Sequence, residues 1–183
     1  MANPNEDIIK AAGRIMVHSG IAGLTLDTLM QQPEISRKRL PKEMKSESEL
    51  FELLLLDFER ELKALVSEIA MKKDHPDKEI GLLFKGLYEL FKKNQWYLDL
   101  VFDPALKARC TKAEDIIFRV KRIAKSYLTR LIQRGKREEV FATTESTHVL
   151  VNEILESFRA LMNDWQLTEK MIKDIKYAQA AKD

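Results

Sequence analysis

An unbroken amphipathic segment from Ser46 to Lys73 constrains the fold more than any other feature of the chain. It contains neither glycine nor proline, and its apolar residues recur at helical spacing. It opens with the sequence SESE, in which Ser46 and Glu49 have the spacing of a capping box at a helix start. One helix over this range would be about 42 Å long at 1.5 Å per residue. The chain is therefore expected to fold around at least one long helix.

The rest of the chain also favours helices, because only six glycines and five prolines occur in 183 residues. Apolar spacing and capping residues predict further helices over about residues 6–19, 25–32, 36–45, 77–93, 95–102, 111–134, 145–165 and 168–180. Gly20 and Gly135 are expected to end two of them, and Thr111 with Glu114 forms a second capping-box pattern. No alternating strand pattern is found. The predicted fold class is all-α, with a head of three short helices fused to a larger helical bundle.

The residues that usually carry catalysis or bind metal ions are sparse. The chain has one cysteine, Cys110, and three histidines that lie far apart in the sequence. No phosphate-binding loop or nucleophile motif occurs, and we interpret Cys110 as a half-buried apolar residue. We therefore predict no enzyme, no metal and no cofactor.

The chain also lacks the features of a membrane or secreted protein. The longest apolar run, Leu53–Leu56, is far shorter than the ~20 residues that span a bilayer. The first ten residues do not have the pattern of a secretory signal, and a single cysteine suits a reducing compartment. We expect a cytoplasmic protein with no membrane partner.

The three short predicted helices have the order of a helix-turn-helix, whose last helix enters the major groove of double-stranded DNA. The segment SRKRLPKEMK, residues 36–45, carries five basic residues and one acidic residue. Arginine can bridge guanine, and lysine and hydroxyl groups can bind phosphate. The predicted DNA-binding residues are Thr25, Ser36, Arg37, Lys38, Arg39, Lys42 and Lys45. The alternative is a solvated basic turn, since residues 1–50 hold seven basic and seven acidic residues.

The stretch from Ile8 to Phe58 resembles the amino-terminal domain of the tetracycline-repressor (TetR/AcrR) family of bacterial regulators. The positions that match the family pattern are Ile9, Ala11 or Ala12, Gly20, Thr25, Ile35, Ser36, Leu40, Ser46 and Leu50. The resemblance implies a DNA-binding domain over residues 1–46 and a ligand-binding and dimerisation domain over residues 47–183. It also implies a homodimeric, ligand-responsive repressor that binds a palindromic operator and an unknown small-molecule effector.

Several positions depart from the family pattern. Glu34 replaces the turn glycine, Pro41 replaces a tyrosine, and Met44 replaces a phenylalanine. Glu43 and Glu47 replace a histidine and a lysine. Carboxylates repel phosphate, and proline removes a backbone donor from a helix. An alternative function is therefore a helical ligand- or protein-binding module whose head no longer binds a specific operator.

Two further sets of residues are assigned to the helical body. Residues of the last two predicted helices form a wide apolar stripe that suits a dimer interface: Leu150, Ile154, Phe158, Leu161, Trp165, Ile172 and Ile175. Aromatic residues and one methionine are candidates for a ligand pocket: Tyr88, Phe91, Trp96, Phe102, Phe118, Tyr127 and Met162. Ordinary core packing is the alternative for both sets. Nine basic residues against two acidic ones over residues 111–137 also suggest that an inward cation could favour an anionic effector.

Overall fold

A computed structural model describes residues 4–35 and 44–162, and over these ranges the chain is helical without any strand. The helices of this part are α1 (Pro4–Gly23), α2 (Leu26–Met30), α3 (Glu47–Lys72), α4 (Pro76–Lys93), α5 (Trp96–Phe102), α6 (Leu106–Arg109), α7 (Ala113–Arg137) and α8 (Thr147–Met162). The predicted all-α fold class is confirmed. The helices predicted over residues 36–45 and 168–180 lie wholly or mostly outside the described residues.

The long helix predicted from the SESE pattern is present as α3, and its capping box is formed. The Glu49 N–H donates to the Ser46 hydroxyl at 3.3 Å, and the Ser46 N–H donates to the Glu49 carboxylate at 2.9 Å. These bonds satisfy backbone donors that the first turn of a helix leaves without partners. The predicted boundaries of α3, α4 and α5 agree with the structure to within one residue.

The first predicted helix is longer than expected. Gly20 has a φ of 63°, a left-handed conformation that glycine adopts without steric cost, and it interrupts the helix as expected. A further short turn nevertheless follows, so that α1 reaches Gly23.

The prediction for the start and end of α7 was wrong in two respects. Thr111 does not cap this helix: its N–H donates to the Ser48 hydroxyl at 3.1 Å, and the Glu114 carboxylate pairs with Lys107 at 2.7 Å. Gly135 does not end the helix, which continues to Arg137. A methyl group at Gly135 would overlap the ring of Phe141, so the glycine makes room for the chain that folds back after the helix.

The chain divides into two compact units, and the division does not follow chain order. The first unit comprises the described residues within Met1–Glu61 and Phe91–Val120. Its buried core includes residues of α1, α2, α3, α5 and α7: Ile8, Met16, Leu29, Phe51, Leu54, Tyr97 and Ile116. The second comprises the described residues within Leu62–Leu90 and Lys121–Asp183, with a core that includes Leu62, Leu83, Leu128, Leu131 and Val151. The functional boundary predicted at residues 46/47 stays a prediction.

Candidate nucleic-acid interface and helical body

The described part of the head is built on α1, which packs against α2 and α5. Ala11, Ala12 and Leu29 are fully buried there, and Ile35 is buried just before the basic segment. The ring of Trp96 lies so close to Gly13 that a methyl group at this position would overlap it. Glycine at position 13 therefore allows α1 and α5 to approach closely.

Thr25 caps α2, as the sequence predicts for a helix start. Its hydroxyl accepts the Thr28 N–H at 3.0 Å, and the Thr28 hydroxyl accepts the Thr25 N–H at 2.9 Å. The Thr28 hydroxyl is also 2.9 Å from the Gly23 carbonyl oxygen. Thr28 was not predicted from the sequence, because the usual capping box has glutamate or glutamine at this position. Whether Thr25 binds phosphate stays a prediction.

The glutamate that replaces the turn glycine has a partner within the head. The chain turns over residues 31–34 after α2, and the Ile35 N–H donates to the Gln32 carbonyl at 3.0 Å. The Glu34 carboxylate forms an ion pair with Arg14 of α1. The negative charge at position 34 is thus balanced by a neighbouring cation.

Most of the predicted DNA-binding residues lie outside the described residues: Ser36, Arg37, Lys38, Arg39 and Lys42. Lys45 is described and exposed, and its N–H donates to the Glu49 carboxylate at 2.5 Å. Bonds from the Lys45 and Ser46 backbones lower the pKa of Glu49 from its ordinary range, the Lys45 bond being the stronger cause. The chain is therefore held in a defined path where it enters α3.

Glu47, which replaces the family's lysine, pairs with Arg109 at the end of α6. The distance from the Arg109 Nη2 atom to the Glu47 carboxylate is 2.5 Å. The same guanidinium donates to the carbonyl oxygens of Ile21 and Leu24. Arg109 was not predicted from the sequence, since its partners are 62 to 88 residues away along the chain and no local pattern indicates them.

Three more polar contacts join the first half of α3 to the two residues before α7 and to the first part of α7. Ser48 binds Thr111, the Glu52 carboxylate lies 2.9 Å from the Lys112 ammonium, and the buried Glu59 carboxylate accepts two bonds from Arg119 at 2.8 and 3.1 Å. The bond to Glu59 is the main reason that the pKa of Arg119 is raised. Paired arginine–carboxylate bonds have defined geometry, so they orient the two helices as well as attract them.

In the first unit, the predicted ligand-binding residues fall into two groups. Phe91 and Trp96 are buried in an aromatic cluster with Phe58 and Tyr97. The ring centroids of Phe58 and Tyr97 are 4.7 Å apart. The Tyr97 hydroxyl donates to the buried Asp57 carboxylate at 2.8 Å, and burial, followed by this bond, raises the Tyr97 pKa. Phe102 is 37% exposed and Phe118 is 66% exposed. These exposures do not support a place for Phe118 in an enclosed pocket of this unit.

In the second unit, Tyr127 forms part of a buried polar cluster. Its hydroxyl donates to Glu79 at 2.5 Å, and Arg134 binds the other oxygen of the same carboxylate at 2.7 Å. Burial is the first cause of the raised Tyr127 pKa, and the bond to Glu79 is the second. Tyr88 is buried in this unit as well. The side chain of Met162 lies outside the described residues.

Two partly exposed arginines of α7 are neutralised by buried carboxylates. Arg119 pairs with Glu59, and Arg134 pairs with Glu79. Most of the other basic residues of this helix, including Lys121, Arg122 and Lys125, are exposed. The cations that the sequence analysis considered for an anionic effector therefore already have carboxylate partners.

The predicted dimer residues of α8 are only half-buried in the single chain. Leu150, Ile154 and Phe158 are of intermediate exposure, and the Phe158 ring lies 5.5 Å from that of Phe84, centroid to centroid. The side chain of Leu161 and the residues Trp165, Ile172 and Ile175 lie outside the described residues. The half-exposed apolar face is compatible with a partner, and the dimer stays a prediction.

None of the described helices combines the length and the apolar character needed to cross a bilayer.

No protein-family model and no curated protein matches the sequence. Solved structures, in contrast, match nearly the whole chain. The ketosteroid transcriptional regulator KstR2 of Mycobacterium tuberculosis superposes with a TM-score of 0.76 at 14% identity, over 96% of this chain and 94% of that one. The fatty acid degradation regulator FadR from Bacillus halodurans gives a TM-score of 0.73 at 13% identity, over 96% and 93% of the two chains. A protein assigned to the TetR family of transcriptional regulators, from Syntrophomonas wolfei, gives 0.70 at 12% identity, over 94% and 93%.

These matches define the class of fold. Over the described residues the chain has the all-α fold seen in solved structures of TetR-family transcriptional regulators. The resemblance to the tetracycline-repressor family inferred from residues 8–58 is thus confirmed at the level of the fold.

Proposed function

We propose that this chain is a DNA-binding transcriptional regulator of the tetracycline-repressor family. It acts as a homodimer on a palindromic operator and represses transcription until a small molecule enters its helical body. The observation that carries this proposal is the combination of the fold with the +4 charge of residues 36–45, the segment that follows the α2 turn. Neither the fold nor the basic segment would be sufficient alone, because folds host many functions and basic turns are common.

The described part of the head supports DNA binding through its local order. Thr25 and Thr28 cap α2, and Glu49 binds the backbone of Lys45 and Ser46 at the start of α3. Rigid elements on both sides of the basic segment reduce the entropy lost when it meets DNA.

Two of the three acidic departures from the family pattern are less damaging than their charges suggest. Glu34 is paired with Arg14, and Glu47 is paired with Arg109. A carboxylate that already has a cationic partner repels phosphate less than an unpaired one. Both residues therefore have structural partners that are compatible with a working head.

The first experiment is selection of duplex DNA from the genome by the purified protein at two salt concentrations. Enrichment of one short palindrome, with affinity that falls steeply as salt rises, is the expected result. Because bound cations displace the counterions of DNA, the salt dependence reports how many phosphates the protein contacts.

The double substitution Arg37→Ala/Arg39→Ala then tests the recognition residues. Each base-contacting arginine contributes about 1–3 kcal/mol, so operator affinity should fall by more than about tenfold. The matched control is Lys121→Ala/Arg122→Ala, which removes the same charge from exposed positions of α7. The control should keep its preference for the operator. Unchanged specific binding by the Arg37/Arg39 variant would show that the recognition residues are wrongly assigned.

The same binding assay tests the ligand response. We propose an apolar effector, because two buried aromatic residues of the second unit, Tyr88 and Tyr127, are candidates for its site. Similar folds occur in a fatty acid degradation regulator and a ketosteroid regulator, so fatty acids and ketosteroids are the first compounds to add. Release of the operator, with a change in Trp96 fluorescence, is the expected result. A panel that changes neither DNA affinity nor thermal stability would contradict a response to these compound classes.

The second candidate function is a helical ligand- or protein-binding module without an operator. Pro41 and Glu43, which lie outside the described residues, are the positions that favour it. A well-folded protein that binds no DNA at either salt concentration would establish this alternative, and salt-sensitive binding without an enriched sequence would indicate a basic surface that has lost its specificity.

A further inference from the structure

One arginine in the first unit binds three acceptors from two distant parts of the chain. Arg109 ends α6, and its side chain is only 20% exposed. Its guanidinium donates to the Ile21 carbonyl, to the Leu24 carbonyl at 2.6 Å and to the Glu47 carboxylate at 2.5 Å. It also lies over the ring of Phe51, 4.9 Å from the centroid. The side chain is therefore held by bonds in its plane and by packing on one face.

In chain order, the three acceptors lie on both sides of the segment predicted to form the helix-turn-helix. Ile21 and Leu24 are at the end of α1, immediately before the Thr25 cap of α2. Glu47 is the first residue of α3, immediately after Ser46. The segment between these contacts, residues 25–46, contains α2 and all the residues predicted to bind DNA. One side chain thus joins the two ends of this segment.

The chemistry of these acceptors suits arginine in particular. Carbonyl groups at the end of a helix carry partial negative charge and favour a cation. The Ile21 oxygen accepts the Leu24 N–H at 3.2 Å as well as the Arg109 bond, which uses both of its lone pairs. Five N–H donors in a rigid plane allow one guanidinium to serve two carbonyls and a carboxylate together. Lysine would bring the same charge, but its compact ammonium cannot reproduce the planar fork or its stacking on Phe51.

We propose that Arg109 is a positioning residue for DNA binding, which fixes the α1–α2 joint relative to the first turn of α3. The proposal rests on the proposed function, because positioning matters only if the head binds an operator. By joining the α1–α2 joint to the first turn of α3, Arg109 holds these two elements in a fixed relation before DNA binds, so that less ordering is required of them on binding. Glu47 has a corresponding role: in place of a phosphate contact, it anchors Arg109.

Arg119 provides a matched control. Like Arg109, it lies within residues 91–120 and makes charge-assisted bonds to a glutamate of α3, in this case Glu59. Both of these bonds go to Glu59, so Arg119 has an ion pair to α3 like that of Arg109 without the bonds to Ile21 and Leu24. Substitution of Arg119 removes only a salt bridge to α3. Substitution of Arg109 removes a salt bridge to α3 and also the bonds to Ile21 and Leu24, so the two variants separate these effects.

The experiment compares Arg109→Met, Arg109→Lys, Glu47→Gln and Arg119→Met by amide hydrogen exchange without DNA. In Arg109→Met, protection of residues 21–30 and 45–50 should fall by roughly tenfold or more, since three bonds are lost, two to neutral carbonyls and one to a carboxylate. Glu47→Gln and Arg109→Lys should give smaller losses at the same residues. Arg119→Met should leave residues 21–30 unchanged. Unchanged protection of residues 21–30 and 45–50 in Arg109→Met would overturn the proposal.

Operator affinity is measured next, at a temperature where circular dichroism shows every variant to be folded. We expect Arg109→Met to lose about tenfold or more in affinity, with partial recovery in Arg109→Lys and little loss in Arg119→Met. Faster exchange with unchanged affinity would overturn the positioning role. Failure of the unsubstituted protein to bind any operator would overturn the proposed function instead, and hydrogen exchange would still decide whether Arg109 holds the joint.

Discussion

Three carboxylates are buried in the described part of the chain, and each has donors that compensate for its removal from water. Asp57 accepts from Tyr97 and Arg60, Glu59 accepts from Arg119, and Glu79 accepts from Tyr127 and Arg134. A buried charge without such partners would be strongly unfavourable. Each carboxylate therefore fixes the orientation of a neighbouring helix, because removal of any donor would leave a buried oxygen unsatisfied.

At the start of α3, Glu49 makes stability depend on pH. Because its folded pKa is lowered by bonds from the Lys45 and Ser46 backbones, it stabilises the fold above the ordinary glutamate pKa of about 4.3. This contribution is lost as pH falls through the lowered folded value. Glu49→Gln should therefore reduce the urea midpoint at pH 7, and the difference from the unsubstituted protein should shrink towards pH 3.

The control for Glu49 is Glu89→Gln, at an exposed position of α4. It should leave the urea midpoint at pH 7 close to that of the unsubstituted protein. A Glu49→Gln deficit that is as large at pH 3 as at pH 7 would show that the carboxylate charge is not responsible.

In α7, a tertiary contact explains the presence of a glycine that the sequence pattern placed at the end of the helix. Gly135 lies inside the helix, and its carbonyl accepts the N–H groups of Val140 at 2.8 Å and Phe141 at 3.2 Å as the chain turns back. The Phe141 ring occupies the space that a side chain at position 135 would need. The glycine is therefore required by the close approach of Phe141 and not by the end of the helix.

Because of this contact, we expect the effect of Gly135→Ala on stability to change sign when Phe141 is also replaced by alanine. Gly135→Ala should destabilise the protein, because overpacking costs about 1–3 kcal/mol and the gain in helix propensity is at most about 1 kcal/mol. In a Phe141→Ala background the overlap is absent, so Gly135→Ala should raise stability by up to about 1 kcal/mol. Urea unfolding of the four proteins measures both effects. The same effect of Gly135→Ala in both backgrounds would exclude the ring as the cause.

For the whole molecule, the proposed dimer depends on the half-exposed face of α8. Ile154→Glu would bury an unpaired charge in that interface, which is strongly unfavourable. The expected result is a monomer at micromolar concentration in analytical ultracentrifugation, where the unsubstituted protein is a dimer. The variant should also lose operator affinity, since a palindrome is bound by two heads.

Ser157→Glu is the matched control for Ile154→Glu, because it adds the same charge at an exposed position of the same helix. It should remain dimeric. A dimer that persists in Ile154→Glu would place the interface elsewhere, and a monomeric unsubstituted protein would contradict the homodimer itself.

The sequence by itself determined the local structure of most of the chain. Helical spacing, the Ser46–Glu49 capping box and the Thr25 cap all act within a few residues, so α2, α3, α4 and α5 could be predicted with their approximate bounds. The resemblance over residues 8–58 also indicated the correct fold. Local signals failed at Thr111 and Gly135, where Ser48 and Phe141 compete with the capping pattern.

Only the tertiary structure decided which distant residues meet. The Arg109–Glu47 pair, the Arg119–Glu59 pair and the Tyr127–Glu79 bond join residues 48 to 62 positions apart. The same applies to the aromatic residues, which looked alike in the sequence: Trp96 became core, while Phe118 remained exposed. The physical reason is that helical periodicity specifies which face of a helix is apolar, whereas its neighbours depend on how all the helices pack together.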